Sequence, residues 1–307
     1  TTVDRVLLYV SPDPNGRLDV SVISKEGDVP VGFEPNRAVA DFETSAHESW
    51  LNDNGVLIYG IDAAGVTTND NAIAIGNTLL AREGSPSLVP GRNWGSIAST
   101  ELYLNNFGVA SMSTDLDGAT TDDAIILKSD GTIVAQEGFT LPSISPFTFT
   151  SFGSGPCLIA DTGRVYHYGD WNDPDTTIDT GLFVDNDLVV QENTTFLPFP
   201  GGGGDVVGTI RGVESGYAIS DNGRYMIIEA ITTGGIDGAW LLEFLPECPD
   251  FDDSGFVDLA DLAGILAAFG QDSTQPGYDP RLDLDFSGRV DLADLAGLLS
   301  QFGNPCP

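Results

Sequence analysis

Leu51-Asn52-Asp53-Asn54-Gly55-Val56 returns as Leu104-Asn105-Asn106-Phe107-Gly108-Val109. Looser copies are Ile159-Ala160-Asp161-Thr162-Gly163-Arg164 and Ile219-Ser220-Asp221-Asn222-Gly223-Arg224. The four glycines stand 53, 55 and 60 residues apart. A second marker keeps the period. Glu26-Gly27, Glu83-Gly84, Glu137-Gly138 and Glu192-Asn193 each end an apolar stretch and precede a proline-containing loop, at spacings of 57, 54 and 55. A fixed period of this length marks a repeat architecture.

Between the markers lies a hairpin. The clearest copy is Ala124 to Lys128, a turn at Ser129-Asp130-Gly131, then Thr132 to Ala135. Thr180 to Val190 repeats it around Asp185-Asn186-Asp187, and Val6 to Ile23 around Pro14-Asn15-Gly16. Asn and Gly suit tight hairpins because they accept positive φ. Short β-branched runs and the lack of long helical periodicity make residues 1–246 mainly β. Two strands at the first marker plus a hairpin give about four strands per repeat, which predicts a four- or five-bladed β-propeller. An open stack or β-sandwich is the alternative. The N-terminus supplies only a hairpin and the C-terminus only the earlier strands of a repeat, so the two ends are expected to share one sheet.

The formal charge is −34, from 46 acidic and 12 basic residues. Such a surface repels nucleic acid and anionic membranes and attracts cations. No apolar run approaches the length of a membrane span. The first residue is Thr1 and not methionine, as expected of an exported chain after signal removal. His47 and His167 read as residues in unremarkable polar contexts, with no nucleophile placed for a hydrolytic triad. Zinc-type His/Cys clusters and a phosphate-binding glycine–lysine loop are absent from the sequence. Acidic turns at Asp115–Asp117 and Asp170–Asp175, with Trp50, Trp94 and Trp171, leave carbohydrate binding or hydrolysis as an alternative. Cys157 is expected to be buried.

Residues 247–307 differ. Asp250, Asp252, Ser254, Gly255, Phe256, Asp258 and Asp261 hold positions 1, 3, 5, 6, 7, 9 and 12 of an EF-hand-type loop, and Asp283, Asp285, Ser287, Gly288, Arg289, Asp291 and Asp294 repeat them 33 residues on. Calcium takes six to eight oxygens, here from side chains and from the carbonyls of Phe256 and Arg289. Two Ca2+ ions are therefore expected. Serine at position 5 and aspartate at position 12 reduce charge and reach, which suits extracellular calcium. Each loop leads into one helix, with apolar stripes Leu259, Leu262, Leu266, Phe269 and Leu292, Leu295, Leu299, Phe302. A paired-loop module brings its ends together, so Cys248 and Cys306 are expected to form a disulfide.

This pair of loop-plus-helix units with aspartate at position 12 resembles a dockerin. The resemblance implies docking onto a cohesin-like or surface-anchoring protein, with contacts at positions 10 and 11. Those are Leu259, Ala260, Leu292 and Ala293, apolar and alike in both copies. The strand repeats are similar to Asn-x-x-Gly tandem repeats of bacterial surface and secreted proteins. The junction Leu245-Pro246-Glu247-Cys248-Pro249 leaves almost no linker. Together these imply a non-enzymatic, extracellular or cell-surface scaffold, joined to a receptor or head-to-tail to identical subunits as a filament or layer. The alternative is a dockerin-delivered carbohydrate-active enzyme or carbohydrate-binding propeller.

Overall fold

A computed structural model describes the chain except residues 1–5, 13–16, 31, 43–48, 98–100, 213–215, 245–248, 253, 255, 276, 286 and 306–307. Strands take 42% of the described residues and helices 9%, so the fold is mainly β. Packing divides it into two compact units, residues 1–104 with 112–136, and residues 105–111 with 137–307. The expected boundary at 246/247 falls in the second unit, and the Leu245–Cys248 part of the junction lies outside the described residues.

The strands form antiparallel sheets in chain order. β1 (Val6–Pro12) and β2 (Leu18–Lys25) make a two-stranded sheet. β3 (Val39–Asp41), β5 (Leu57–Ala63), β6 (Asn71–Ile75) and β7 (Thr78–Arg82) follow in that order, with β4 (Trp50–Leu51) also on β5. β8 (Glu101–Leu104), β9 (Ala110–Asp115), β10 (Ala124–Lys128) and β11 (Ile133–Gln136) form the next sheet. β12 (Phe149–Ser151), β14 (Val165–Trp171), β15 (Thr180–Val184) and β16 (Asp187–Gln191) repeat the order, with β13 (Leu158–Ile159) also on β14. The last sheet joins β17 (Phe196–Pro198), β18 (Gly204–Ile210), β20 (Tyr225–Thr232) and β19 (Tyr217–Ile219), with β21 (Asp237–Glu243) on β20. α1 (Leu259–Ala268) and α2 (Leu292–Gln301) close the chain.

Both sequence markers are hydrogen-bonded turns. The N–H groups of Gly55, Gly108, Gly163 and Gly223 donate to the carbonyls of Asn52, Asn105, Ala160 and Ser220, at 2.8 to 3.1 Å. All four glycines have φ between 72° and 81°, which a Cβ would strain. In the two strict copies the asparagine side chain completes the turn. Asn52 Oδ1 accepts from the amides of Asn54 and Val56, and Asn105 Oδ1 from those of Phe107 and Val109. At the second marker, Gly27, Gly84, Gly138 and Asn193 donate to Val39, Trp94, Phe149 and Val207, starting the next repeat. Asn193 stands where the others have glycine, and its φ is 51°. Asparagine tolerates this region better than other side chains.

The N-terminal hairpin forms as expected: among the described residues β1 and β2 pair with each other. Paired across the hairpin are Leu8 with Val22 and Val10 with Val20, and these four side chains are 44% to 57% exposed. The hairpin turn at Pro14–Gly16 lies outside the described residues. The turn after β15 is shorter than expected, because Asp187 already belongs to β16.

His167 corrects an expectation. It is buried, not polar in setting: its ring stacks on Phe183 at 5.1 Å and 6°, with Phe149 and Phe152 at its edges. Strand alternation turns β14 positions 165, 167, 169 and 171 to one face, and aromatic neighbours from β12 and β15 fill it. Nε2 lies 3.1 Å from the Asp185 carbonyl and Nδ1 3.3 Å from that of Tyr168. His47 lies outside the described residues. Trp94 and Trp171 are buried and present no face to a sugar, whereas Trp50 is 43% exposed. Cys157 is buried, as expected.

Burial lowers the His167 pKa from its ordinary 6.5, against the Asp185 and Tyr168 carbonyls and the Asp185 charge, which favour the cation. Below about pH 6.5 the unfolded chain takes up a proton that the buried ring refuses, so stability falls as pH falls. His167→Phe should shrink the difference in urea midpoint between about pH 7.5 and about pH 5. An unchanged difference would mean the ring is not held neutral.

Candidate metal centre

The two helices start alike. Asp258 and Asp291 are N-caps, accepting from the amides of Ala260 (2.7 Å) and Ala293 (2.8 Å). Asp261 and Asp294 return the bond, their Oδ2 accepting from the amides of Asp258 (2.8 Å) and Asp291 (2.7 Å). This is a capping box with aspartate in the third helical position. The other oxygen reaches back into the loop. Asp261 Oδ1 accepts from Phe251 N–H at 2.6 Å, and Asp294 Oδ1 from Asp285 N–H at 3.2 Å. One carboxylate therefore ties the start of each loop to its end.

Each loop curls around its first aspartate. Ser254 N–H donates to Oδ1 of Asp250 (3.0 Å) and Asp252 (3.2 Å). Ser287 N–H does the same to Asp283 (3.0 Å) and Asp285 (3.1 Å). The serine hydroxyls donate to the position-7 carbonyls, Phe256 at 3.2 Å and Arg289 at 3.1 Å. The result is two convergent triads. One carboxylate oxygen each from Asp250, Asp252 and Asp261 lies within 4.8 Å of the others, and likewise from Asp283, Asp285 and Asp294. Asp258 and Asp291 stand outside the triads, as caps.

The second triad is the more buried, with Asp283 and Asp294 about 1% exposed or less. Burial pushes Asp283 up to about 6, with the Asp294 charge adding, against hydrogen bonds from Tyr278, Gly288 and Ser287. Burial also raises Asp294, with Asp285 adding. Tyr278, which the sequence reading did not single out, donates to Asp283 Oδ2 at 2.6 Å. Nothing local marks it, because it precedes the loop. Each loop gathers three carboxylates, a hydroxyl and a carbonyl, all hard oxygens. That set fits calcium or magnesium and does not fit zinc or copper.

Each loop is also held by the segment that follows the other loop's helix. Val257, in position 8 of the first loop, exchanges backbone bonds with Gly303 and Asn304 beyond α2. Val290, in position 8 of the second, does so with Gly270 and Gln271 beyond α1. The core between them is Val257, Ile265, Ala268, Leu282, Leu284, Val290 and Leu298.

This core corrects part of each expected helix face: Leu262 and Leu295 pack against it as expected, and the others do not. Leu259, Leu266 and Phe269 are 71%, 55% and 45% exposed, and Leu292, Leu299 and Phe302 behave alike. The buried positions are Asp261, Ile265 and Ala268 in α1, and Asp294 and Leu298 in α2. The reason is the third-position aspartate. Its carboxylate must face the loop, and residues four and seven further on share its side of the helix. Leu259, Ala260, Leu292 and Ala293, expected as partner contacts, are all exposed. Cys248 and Cys306 lie outside the described residues.

Comparison with family models, curated proteins and solved structures gave no match.

Neighbouring leucines should separate. Leu298→Ala, from a fully buried site, should cost about 2–4 kcal/mol. Leu299→Ala, one residue on, should stay within about 0.5 kcal/mol. Loss of helical circular dichroism on heating measures both, and equal costs would contradict the helix phase.

Proposed function

We propose that this chain is an exported, non-enzymatic scaffold whose C-terminal loops bind two calcium ions and form a dockerin-like joint. The observation that carries the reading is one triad geometry built twice, on loops whose remaining donors are also oxygens. Buried, like-charged carboxylates repel one another, and a divalent cation relieves that repulsion. Asp250, Asp252, Ser254, Phe256 and Asp261 would hold the first ion, and Asp283, Asp285, Ser287, Arg289 and Asp294 the second. A ligand set short of reach and charge works where calcium is abundant, which supports an extracellular setting. The exposed Leu259, Ala260, Leu292 and Ala293 supply an apolar docking surface.

The partner on this reading is a cohesin-like or surface-anchoring protein, or an identical subunit. A head-to-tail contact between identical subunits does not close and grows a filament or layer. A four- or five-bladed propeller is the form proposed for the strand region. Its support is the recurring sheet order and the bonding of successive marker turns. Asn105 Nδ2 donates to the Ala160 carbonyl at 3.1 Å, and Asp161 N–H to that of Asp221 at 2.6 Å.

Calorimetric titration of the chelator-treated protein should give two calcium ions per chain. Asp261→Ala and Asp294→Ala should each lose one, and helical signal with it, since binding and folding are coupled. Unchanged stoichiometry in both variants would overturn the ligand assignment. In light scattering, large particles that dissolve on adding chelator would identify the partner as a second copy; a monomer in both conditions would require a separate receptor.

A further inference from the structure

The two loops resemble each other in sequence but not in surroundings. Gly288, in position 6 of the second loop, is buried at φ +81°. A Cβ there would lie 2.6 Å from Phe107 Cε2 and 2.9 Å from the Asp161 carbonyl oxygen. Phe107 and Asp161 belong to two successive marker turns. These turns are already joined, because Asp161 accepts from the Asn106 amide at 2.8 Å and from its side-chain Nδ2 at 3.0 Å. Ser273, whose amide donates to the Gly288 carbonyl at 3.0 Å, sits against Gly163 of the second turn. The Ser273 and Thr162 hydroxyl oxygens are buried beside this seam and have no hydrogen-bond partner among the described residues. In the first loop the opening aspartate, Asp250, is half-buried where Asp283 is 1% exposed, and Gly255 lies outside the described residues.

We propose that the second loop is the chain's own clamp on the strand repeats. Its occupancy by metal is then transmitted to the marker turns. The inference rests on the calcium reading above. The physical link is short. Asp283 accepts from the Gly288 amide at 2.7 Å, so the aspartate that opens the second triad also fixes the glycine that meets Phe107 and Asp161. Ordering the loop around an ion orders that contact, and ligand-linked ordering stabilises whatever it holds in place.

The test uses the full chain. Its four tryptophans are Trp50, Trp94, Trp171 and Trp240, and residues 247–307 contain none. Tryptophan emission therefore reports unfolding of the strand region alone. Asp252→Asn and Asp285→Asn change the same position in the two loops, and both residues are exposed. Each variant should bind one ion fewer. Calcium should raise the tryptophan-reported midpoint in wild type and in Asp252→Asn, and the rise should be lost in Asp285→Asn. Hydrogen exchange at 105–109 and 160–164 should quicken in Asp285→Asn only. Phe107→Ala, altered on the strand side, should keep two ions and lose the rise. Two bound ions with no difference between the variants would overturn the clamp and leave the calcium reading standing. No calcium binding in wild type would overturn both.

Discussion

Residues held at positive φ close each repeat of the strand region twice, and the sheets depend on them. A backbone bond from Gly55, Gly108, Gly163 or Gly223 reverses the chain into the second strand of a repeat. A second bond, from Gly27, Gly84, Gly138 or Asn193, hands the chain to the next one. Both need a conformation that most side chains resist. With the turns fixed, strand alternation decides which side chains are buried. The aromatic cluster around His167 is one result.

In the C-terminal module the governing group is a carboxylate. Asp261 and Asp294 each satisfy a helix amide and a loop amide with opposite oxygens. This sets the rotation of the helix, so Ile265 and Leu298 enter the core while Leu266 and Leu299 face outward. The same groups converge with the first and third aspartates of each loop. Core packing and the gathering of oxygen ligands are thus consequences of one rotation.

The repeats were legible because their chemistry is local. Gly55 and Asn52 are close in sequence, and the turn they form needs those residue types. Asn193 fits the same rule. The helices themselves were legible from the loop spacing, but not their inward faces. Leu259, Leu266 and Phe269 continue an apolar stripe as regular as the buried one, with Leu262 packed at the border between them, and only the reach of Asp261 chooses which side turns inward. His167 was misread because its neighbours Phe149 and Phe183 arrive from other strands. Tyr278 and the seat of Gly288 on Phe107 are likewise long-range facts.

The N-terminal hairpin sets how this protein behaves as a colloid. Its outer strand edges are unpaired among the described residues, and Val6, Leu8, Val10, Leu18, Val20 and Val22 are all at least 44% exposed. Such an edge is a template for strand addition. At low ionic strength the charge of −34 keeps copies apart. The screening length shrinks from about 10 Å at 0.1 M salt to about 3 Å at 1 M. Within that range the repulsion fades and the aliphatic hairpin is left to govern solubility.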